Sequence, residues 1–385
     1  MGMNNLQIVI VGAGYAGVMA ANNLAGRYGV TLVNPRPFFV ERIRLHQFVV
    51  DTHPARVPLT RVLHPGVRLE IGSATRIAAA DRQVVLAGGA ALPYDYLVVA
   101  AGSRAAVPAI PGTEHAFMVA DWESAQALRA ALDGGATTVT VVGGGLTGIE
   151  AASEIAEQRP GMRVRLIAAG AVAQGLSRRA RASVLRRLQR LGVEVIEHRR
   201  VEAITPRSVL AGGETLASDL TILAAGLSAA SLARDSGLTV DDGGRLVTDA
   251  ALRSVDSDRI VAAGDAAAPP ASVAAHVRMA CASAFPLGAT AARTVDALIQ
   301  GREPEPLSLG FFAQCVSIGR RGGVLQPVTP DDRPRAVAIT GWGGKAIKEA
   351  ICKGTVKWLA REGRRPGSYK WPAGPRPLEK PAAIP

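Results

Sequence analysis

The run Ile8-Val9-Ile10-Val11 passes directly into Gly12-Ala13-Gly14-Tyr15-Ala16-Gly17, and a helical pattern follows through Leu24. A short unbroken apolar run of this kind is a buried parallel strand, and the glycines mark the turn into a helix. Each glycine has its own task. Gly12 permits the tight turn, Gly14 lets the backbone approach a pyrophosphate, and Gly17 brings the helix close to the strand. The free N–H groups at the start of the helix then face the phosphates.

A second unit of the same design begins 131 positions later: Val139 to Val142 enters Gly143-Gly144-Gly145-Leu146-Thr147-Gly148, then a helix to about Gln158 and a strand over Arg163 to Ile167. One such loop is weak evidence. Two copies, each set between a strand and a helix, predict two nucleotide sites in one chain. Short alternating runs (Val67 to Ile77, Gln83 to Leu86) lie between the units, followed by the buried strand Tyr96 to Ala100 ending in Ala101-Gly102-Ser103. Beyond the second unit, strands are expected at 193–196, 220–224 and 259–262, the last leading into Gly264-Asp265, with a helix from about Met279 to Ile299.

At 385 residues the chain exceeds one typical core, and its 48% apolar and 20% charged composition excludes global disorder. No run approaches the roughly 18 apolar residues a spanning helix needs. The N-terminus lacks a basic signal-peptide head, so the expected location is cytoplasmic, with peripheral attachment at the inner face of the membrane left open. Cys281, Cys315 and Cys352 form no CxxC pair and no Cys/His cluster, which argues against a metal site and a dithiol redox pair of familiar spacing.

The net charge of +12 is concentrated: residues 341–385 hold ten Lys/Arg, including all six lysines, against Glu349, Glu362 and Glu379. The compositional shift marks a last module, residues 301–385, with antiparallel strands between Gly310 and Thr340 and a basic helix from Gly343 to about Arg361. Ile347, Ile351, Trp358 and Leu359 are its expected apolar face, Lys348, Lys353 and Lys357 lie elsewhere, and the proline-rich tail is irregular. The basic segment is read as a weak membrane-surface or partner contact, or as a helix covering the first domain or making a dimer contact. No nucleic-acid recognition module accompanies the pI of about 10.3.

Four stretches, Ile8 to Gly14, Tyr94 to Ser103, Val141 to Glu150 and Ile260 to Ala266, together resemble the two-dinucleotide-binding-domain flavoproteins of the pyridine nucleotide-disulfide oxidoreductase superfamily. The resemblance covers residues 5 to about 300. It implies an α/β fold with two Rossmann-like domains: an FAD-binding domain from 1–117 and 245–300, and an NAD(P)H-binding domain from 118–244. By the same resemblance Gly12, Gly14, Gly17, Ala101, Gly102 and Asp265 hold FAD, while Gly143, Gly145 and Gly148 hold NAD(P)H. Leu45-His46-Gln47 is similar to a stretch beside the flavin ring in type II NADH:quinone oxidoreductases. That likeness implies transfer of two electrons from flavin to a diffusible quinone-like acceptor. A small polycyclic metabolite, an electron-carrier protein, or nucleotide sensing without turnover are the competing readings. Glu150 matches the family's TGIE glutamate and is expected to orient the cofactor or relay a proton, with His46 as the candidate acid near neutral pH. Arg36, Arg42 and Arg44 are candidate pyrophosphate or acceptor contacts. The oligomeric state is unreadable.

Two departures stand at the strand ends, where an acid normally takes the ribose hydroxyls. Asn34 occupies the first, and its amide can still bond a ribose. Ala168 occupies the second, so Arg178 and Arg179, ten residues on, are the expected partners of a 2′-phosphate, and NADPH is expected to serve at least as well as NADH. His276-Val277-Arg278-Met279-Ala280 also lacks the AQxAxQ pattern of respiratory members.

Overall fold

The computed structural model describes residues 6–375. Strand Gln7–Val11 pairs in parallel with Gly29–Asn34 on one side and Tyr96–Val99 on the other, and Val67–Ile71 and Ile260–Ala262 complete a five-stranded parallel sheet. The return of Ile260–Ala262 makes this first domain discontinuous. A second five-stranded parallel sheet runs Ala116–Met118, Leu220–Leu223, Thr138–Val142, Arg163–Ile167, Glu194–Ile196. Each central strand is buried on both faces, which is why its sequence is a continuous apolar run rather than an alternation. Each sheet has a three-stranded antiparallel meander beside it: Ala74–Ala78, Gln83–Leu86, Ala91–Pro93 for the first and Val201–Thr205, Ser208–Ala211, Glu214–Ala217 for the second. Ser103–Ala105 pairs antiparallel with Leu227–Ala229 and ties the domains together.

The first loop helix, Tyr15–Leu24, is buried at every position but Asn23. It packs against helix Cys281–Ile299, where Gly288 comes so close that a Cβ would stand 2.3 Å from the carbonyl oxygen of Ala16. Asn22 is wholly buried and donates to the carbonyls of Val62 and Leu359, which fastens the C-terminal helix onto the first domain.

The last module is a three-stranded antiparallel sheet, Ala313–Ser317, Gly323–Pro327 and Ile339–Thr340, followed by helix Gly341–Arg364. Gly344 lies against the sheet, a Cβ there falling 2.5 Å from the carbonyl oxygen of Gly323. The buried face of this helix differs from the expected one. It runs through Gly344, Lys348, Cys352, Thr355, Leu359 and Glu362, leaving Ile347, Ile351 and Trp358 half-buried. A simple apolar tally misplaces the face because two of its charged residues are themselves buried, each with polar partners. Lys348 meets Glu150, and Glu362 accepts from Asn23, Gly367, Ser368 and Tyr369. Residues 365–375 are irregular, and the rest of the expected tail lies outside the described residues. Among the described residues, no helix is long and apolar enough to cross a membrane.

Candidate functional site

Both glycine loops do geometrically what their spacing requires. A Cβ on Gly12 would lie 2.3 Å from the carbonyl oxygen of Ala100, and one on Gly17 would lie 1.8 Å from that of Gly12. The second loop repeats this, with Gly143 2.3 Å from the oxygen of Ala224 and Gly148 2.0 Å from that of Gly143. A Cβ on Gly14 or Gly145 meets nothing within 4 Å, so the middle glycine of each loop faces open space where a pyrophosphate backbone contact belongs.

Three adjoining cavities fill the crevice at the carboxyl ends of the two sheets. One of about 870 Å³ extends from Gly12 and Gly14 past Asn34 and Arg36 to Gly102 and Glu123. A central one of about 630 Å³ shares Gly14, Arg42 and Gly102 with it and reaches His46, Glu150, Asp265, Cys281 and Lys348. A third, of about 350 Å³, shares Gly145 and Leu146 with the central one and ends at Ala168 to Leu176. The first two make one elongated cleft past Gly14, and the third opens into it at Gly145.

Asn34 is spent on building the first loop, since its Oδ1 accepts from the Ala13 amide at 3.1 Å and its Nδ2 donates to the Arg36 carbonyl at 2.7 Å. Arg36 lines the same cavity and pairs with Glu123. Arg42 donates to Ser103 Oγ at 3.1 Å and to the carbonyl of Ala120 at 2.9 Å. Ser103 in turn donates to Asp265 at 2.5 Å, and Asp265 lies in a 3₁₀ turn behind strand Ile260–Ala262, without capping a helix. Ala101 and Gly102, the latter at φ +71°, form the opposite wall. Arg44 is a correction: it is 1% exposed, bonded to Glu349 at 2.8 Å and Gln47 at 2.9 Å, so it staples the C-terminal helix and is closed to ligands.

A buried charge cluster closes the inner end of the central cavity. Glu150, 8% exposed on helix Leu146–Gln158, accepts from the Ser317 amide at 2.9 Å and Ser317 Oγ at 3.0 Å, with Lys348 Nζ at 3.2 Å. Burial pushes the Glu150 carboxyl up, but Lys348, His46 and the Ser317 amide together outweigh it and hold the group below the ordinary glutamate value. Burial likewise works against the Lys348 ammonium, and Glu150 holds it well above the ordinary lysine value. His46, on the short helix Leu45–Phe48, places Nδ1 3.6 Å from Glu150, while Gln47 and Ser317 stand 3.4 and 3.3 Å from Nε2. Burial, helped by Lys348, pushes its pKa down to about 4 against the pull of Glu150, so the imidazole is neutral near pH 7. The expectation of His46 as a cationic acid is therefore revised: Lys348 carries the charge.

Lys348 and Ser317 were missed in the sequence because each comes from the last module, about 170 to 200 positions from Glu150. The three thiols are free. Burial pushes Cys281 to about 11 and Cys352 to about 12, and raises Cys315, so all three stay protonated near neutral pH. Arg178 is exposed at the start of helix Arg178–Arg190, beyond Leu176, where the third cavity's lining ends on that side.

Two duplicated dinucleotide units meeting over a buried acid–base cluster define a flavin- and nicotinamide-dependent oxidoreductase. The pyridine nucleotide-disulphide oxidoreductase family model matches residues 6–284, and the chain belongs to that family as an FAD-dependent NAD(P)H oxidoreductase. It is 31% identical to an NADH dehydrogenase-like protein of Mycobacterium tuberculosis, over 90% of this chain and 92% of that one. It is 25% identical to a demethylphylloquinone reductase of Synechocystis, over 83% of this chain and 86% of that one. The fold is similar to that of NDH2 from Plasmodium falciparum in complex with NADH, with a TM-score of 0.78 at 16% identity, covering 94% of this chain and 96% of that one.

Proposed function

We propose that the chain passes two electrons from NAD(P)H to a small quinone-like acceptor that takes its protons beside Glu150 and Lys348. The carrying observation is the buried Lys348–Glu150 pair, 3.2 Å apart, in the wall of the cavity where the two nucleotide clefts meet. Bound FAD supplies the redox chemistry by accepting a hydride equivalent and releasing electrons. The protein's residues supply orientation and protons. Gly14 and Gly145 leave room for the two pyrophosphates, and Arg42 and Asp265 brace the wall between the cavities. Lys348 Nζ holds a proton at the cavity wall, and Glu150 keeps it there until an acceptor oxygen becomes the stronger base. The neutral His46 ring, in contact with both Glu150 and Ser317, fixes the carboxylate and provides a path for re-protonation. The demethylphylloquinone reductase among the relatives supports a quinone-type acceptor. Anaerobic bleaching of the flavin by NAD(P)H, followed by a panel of quinones, ferricyanide and oxygen, tests the reading. Quinone reduction unchanged in Lys348→Met would remove the proton role.

The outer face of the C-terminal helix supports contact with an anionic membrane surface. Lys353, Lys357, Arg361 and Arg364 are exposed there at helical spacing. Trp342, 75% exposed, adds an apolar anchor at the first turn. Binding to anionic vesicles that weakens with salt and is lost in Lys353→Glu/Lys357→Glu is the expected result, and absence of binding at low salt would reject it.

A further inference from the structure

A further cavity, of about 390 Å³, lies outside the nucleotide crevice, and its volume is in the range of small-molecule sites. It shares no lining residue with the central cavity and only Trp122 with the first. The one-turn helix Leu45–Phe48 divides its side chains between the two regions: His46 lines the central cavity and Phe48 lines this one. The floor is aromatic. Phe48 and Trp122, both buried, pack with ring centroids 4.5 Å apart at 33°.

The rim is basic. The Arg129 guanidinium lies over the Phe48 ring, 5.1 Å from its centroid, and pairs with Asp51 at 2.9 Å. Asp51 is the only carboxylate in the lining, and most of its side chain faces solvent. Arg56 also lines the cavity, is exposed, and has no ion-pair partner among the described residues. His53 adds a neutral donor. Its Nδ1 accepts from the Ala55 amide at 3.0 Å, which leaves the ring proton on Nε2, and burial together with Arg44 lowers the imidazole from its ordinary pKa. The loop that carries these groups is strained, with Asp51 at φ +64° and Ala55 at φ +50°. The Thr52 amide donates to the carbonyl of Gln47 and the Glu41 amide to that of Ala55, each at 2.9 Å, and these bonds hold the bend around the cavity.

We propose that this cavity binds a small aromatic carboxylate of one or two rings, with its ring beside the Phe48–Trp122 pair and its carboxylate between Arg56 and Arg129. A guanidinium fork matches a carboxylate and also stacks on aromatic rings, so Arg129 serves both parts of such a ligand. The ligand's carboxylate takes the place of the exposed Asp51 carboxylate on Arg129 and gives Arg56 the partner it lacks. A neutral ring would leave both cations unused, and an inorganic anion would leave the floor unused. The site is separate from the redox centre and does not depend on the identity of the electron acceptor.

Calorimetric titration of the FAD-loaded protein with 2-naphthoate and with 2-naphthamide separates the charge from the ring. The expected result is a Kd of about 1 mM or tighter for the acid, and binding of the neutral amide weaker by about tenfold or more, in keeping with a charge-assisted contact. Arg56→Gln/Arg129→Gln removes that difference. Gln126→Trp, at an exposed position in the lining, fills the cavity and abolishes binding while the flavin content stays that of the unaltered protein. No binding of 2-naphthoate by about 10 mM would overturn the site. So would an amide that binds as tightly as the acid. Competition by inorganic phosphate as strong as that by a second aromatic acid, benzoate, would reduce it to an anion site without ring recognition and overturn it too. Binding that survives both variants and is lost in Lys348→Met would place the acid in the central cavity, which equally contradicts the proposal.

Discussion

The two nucleotide units share their loop geometry and differ at the strand end behind it. In the first, the Asn34 amide bonds Ala13 and Arg36 and pins the loop into a cleft of about 870 Å³. In the second, Ala168 bonds nothing through its side chain, and the loop beyond is held instead by Glu197 and by the Ala173 amide donating to Gly144 at 2.8 Å. Its cavity is about 350 Å³ and neutral. The contrast teaches that one phosphate-loop design can serve two duties. On the proposed function, the long, internally braced cleft is the one that retains the resident cofactor and the short one exchanges the co-substrate.

Substituting the middle glycine of each loop sharpens this most. Gly14 and Gly145 have ordinary negative φ, −77° in each, and open space beside the missing Cβ, so valine is tolerated by the fold but intrudes on the ligand. Gly14→Val is expected to yield folded, colourless protein. Gly145→Val is expected to stay yellow and lose about a hundredfold or more in kcat/KM for NAD(P)H, or about 2.7 kcal/mol. Flavin retained in Gly14→Val, or lost in Gly145→Val, would break the division of duties. Next in size, Glu150→Gln removes the partner of a buried ammonium. Quinone reduction should fall by about 10²-fold while anaerobic flavin reduction changes much less, as stopped-flow traces would resolve.

His46 gives a smaller, pH-dependent effect. Its folded pKa of about 4 lies below the ordinary 6.5, so between those values the unfolded chain takes up a proton that the native one refuses. Stability therefore declines as pH falls from about 6.5 toward 4, by on the order of 1–3 kcal/mol from this group. Thermal melts of His46→Gln should show a shallower decline across that window, and an unchanged slope would place the acid sensitivity elsewhere. Smallest of all, replacing Cys281, Cys315 or Cys352 with serine is expected to change turnover by less than about twofold, because protonated thiols are poor electron relays. Loss of acceptor reduction in Cys281→Ser would reveal one.

Both loops were legible in the sequence because glycine spacing encodes backbone clearance locally, and so were the strands that feed them, because burial on both faces leaves an unbroken apolar run. Glu150 was legible only by likeness to a known stretch. Its partners were not, since Ser317 and Lys348 arrive from a module whose packing no local pattern reports. The face of helix Gly341–Arg364 was misread for the same reason: a lysine counts as solvent-facing until its buried carboxylate is known. His46 was visible as a residue, but its neutrality comes from burial and from Lys348, both tertiary facts. Arg178 was chosen by proximity in sequence, while the lining of the third cavity ends at Leu176 on that side.

The most direct test of the account is anaerobic stopped-flow mixing of the flavin-loaded protein with NADPH or NADH, followed by a second mix with a short-chain quinone. The account predicts rapid bleaching near 450 nm, the ordinary flavin absorbance, then return of the colour as quinol forms. Flavin that stays oxidised through the first mix would contradict it, as two filled nucleotide clefts without electron transfer would make the chain a binder rather than an oxidoreductase.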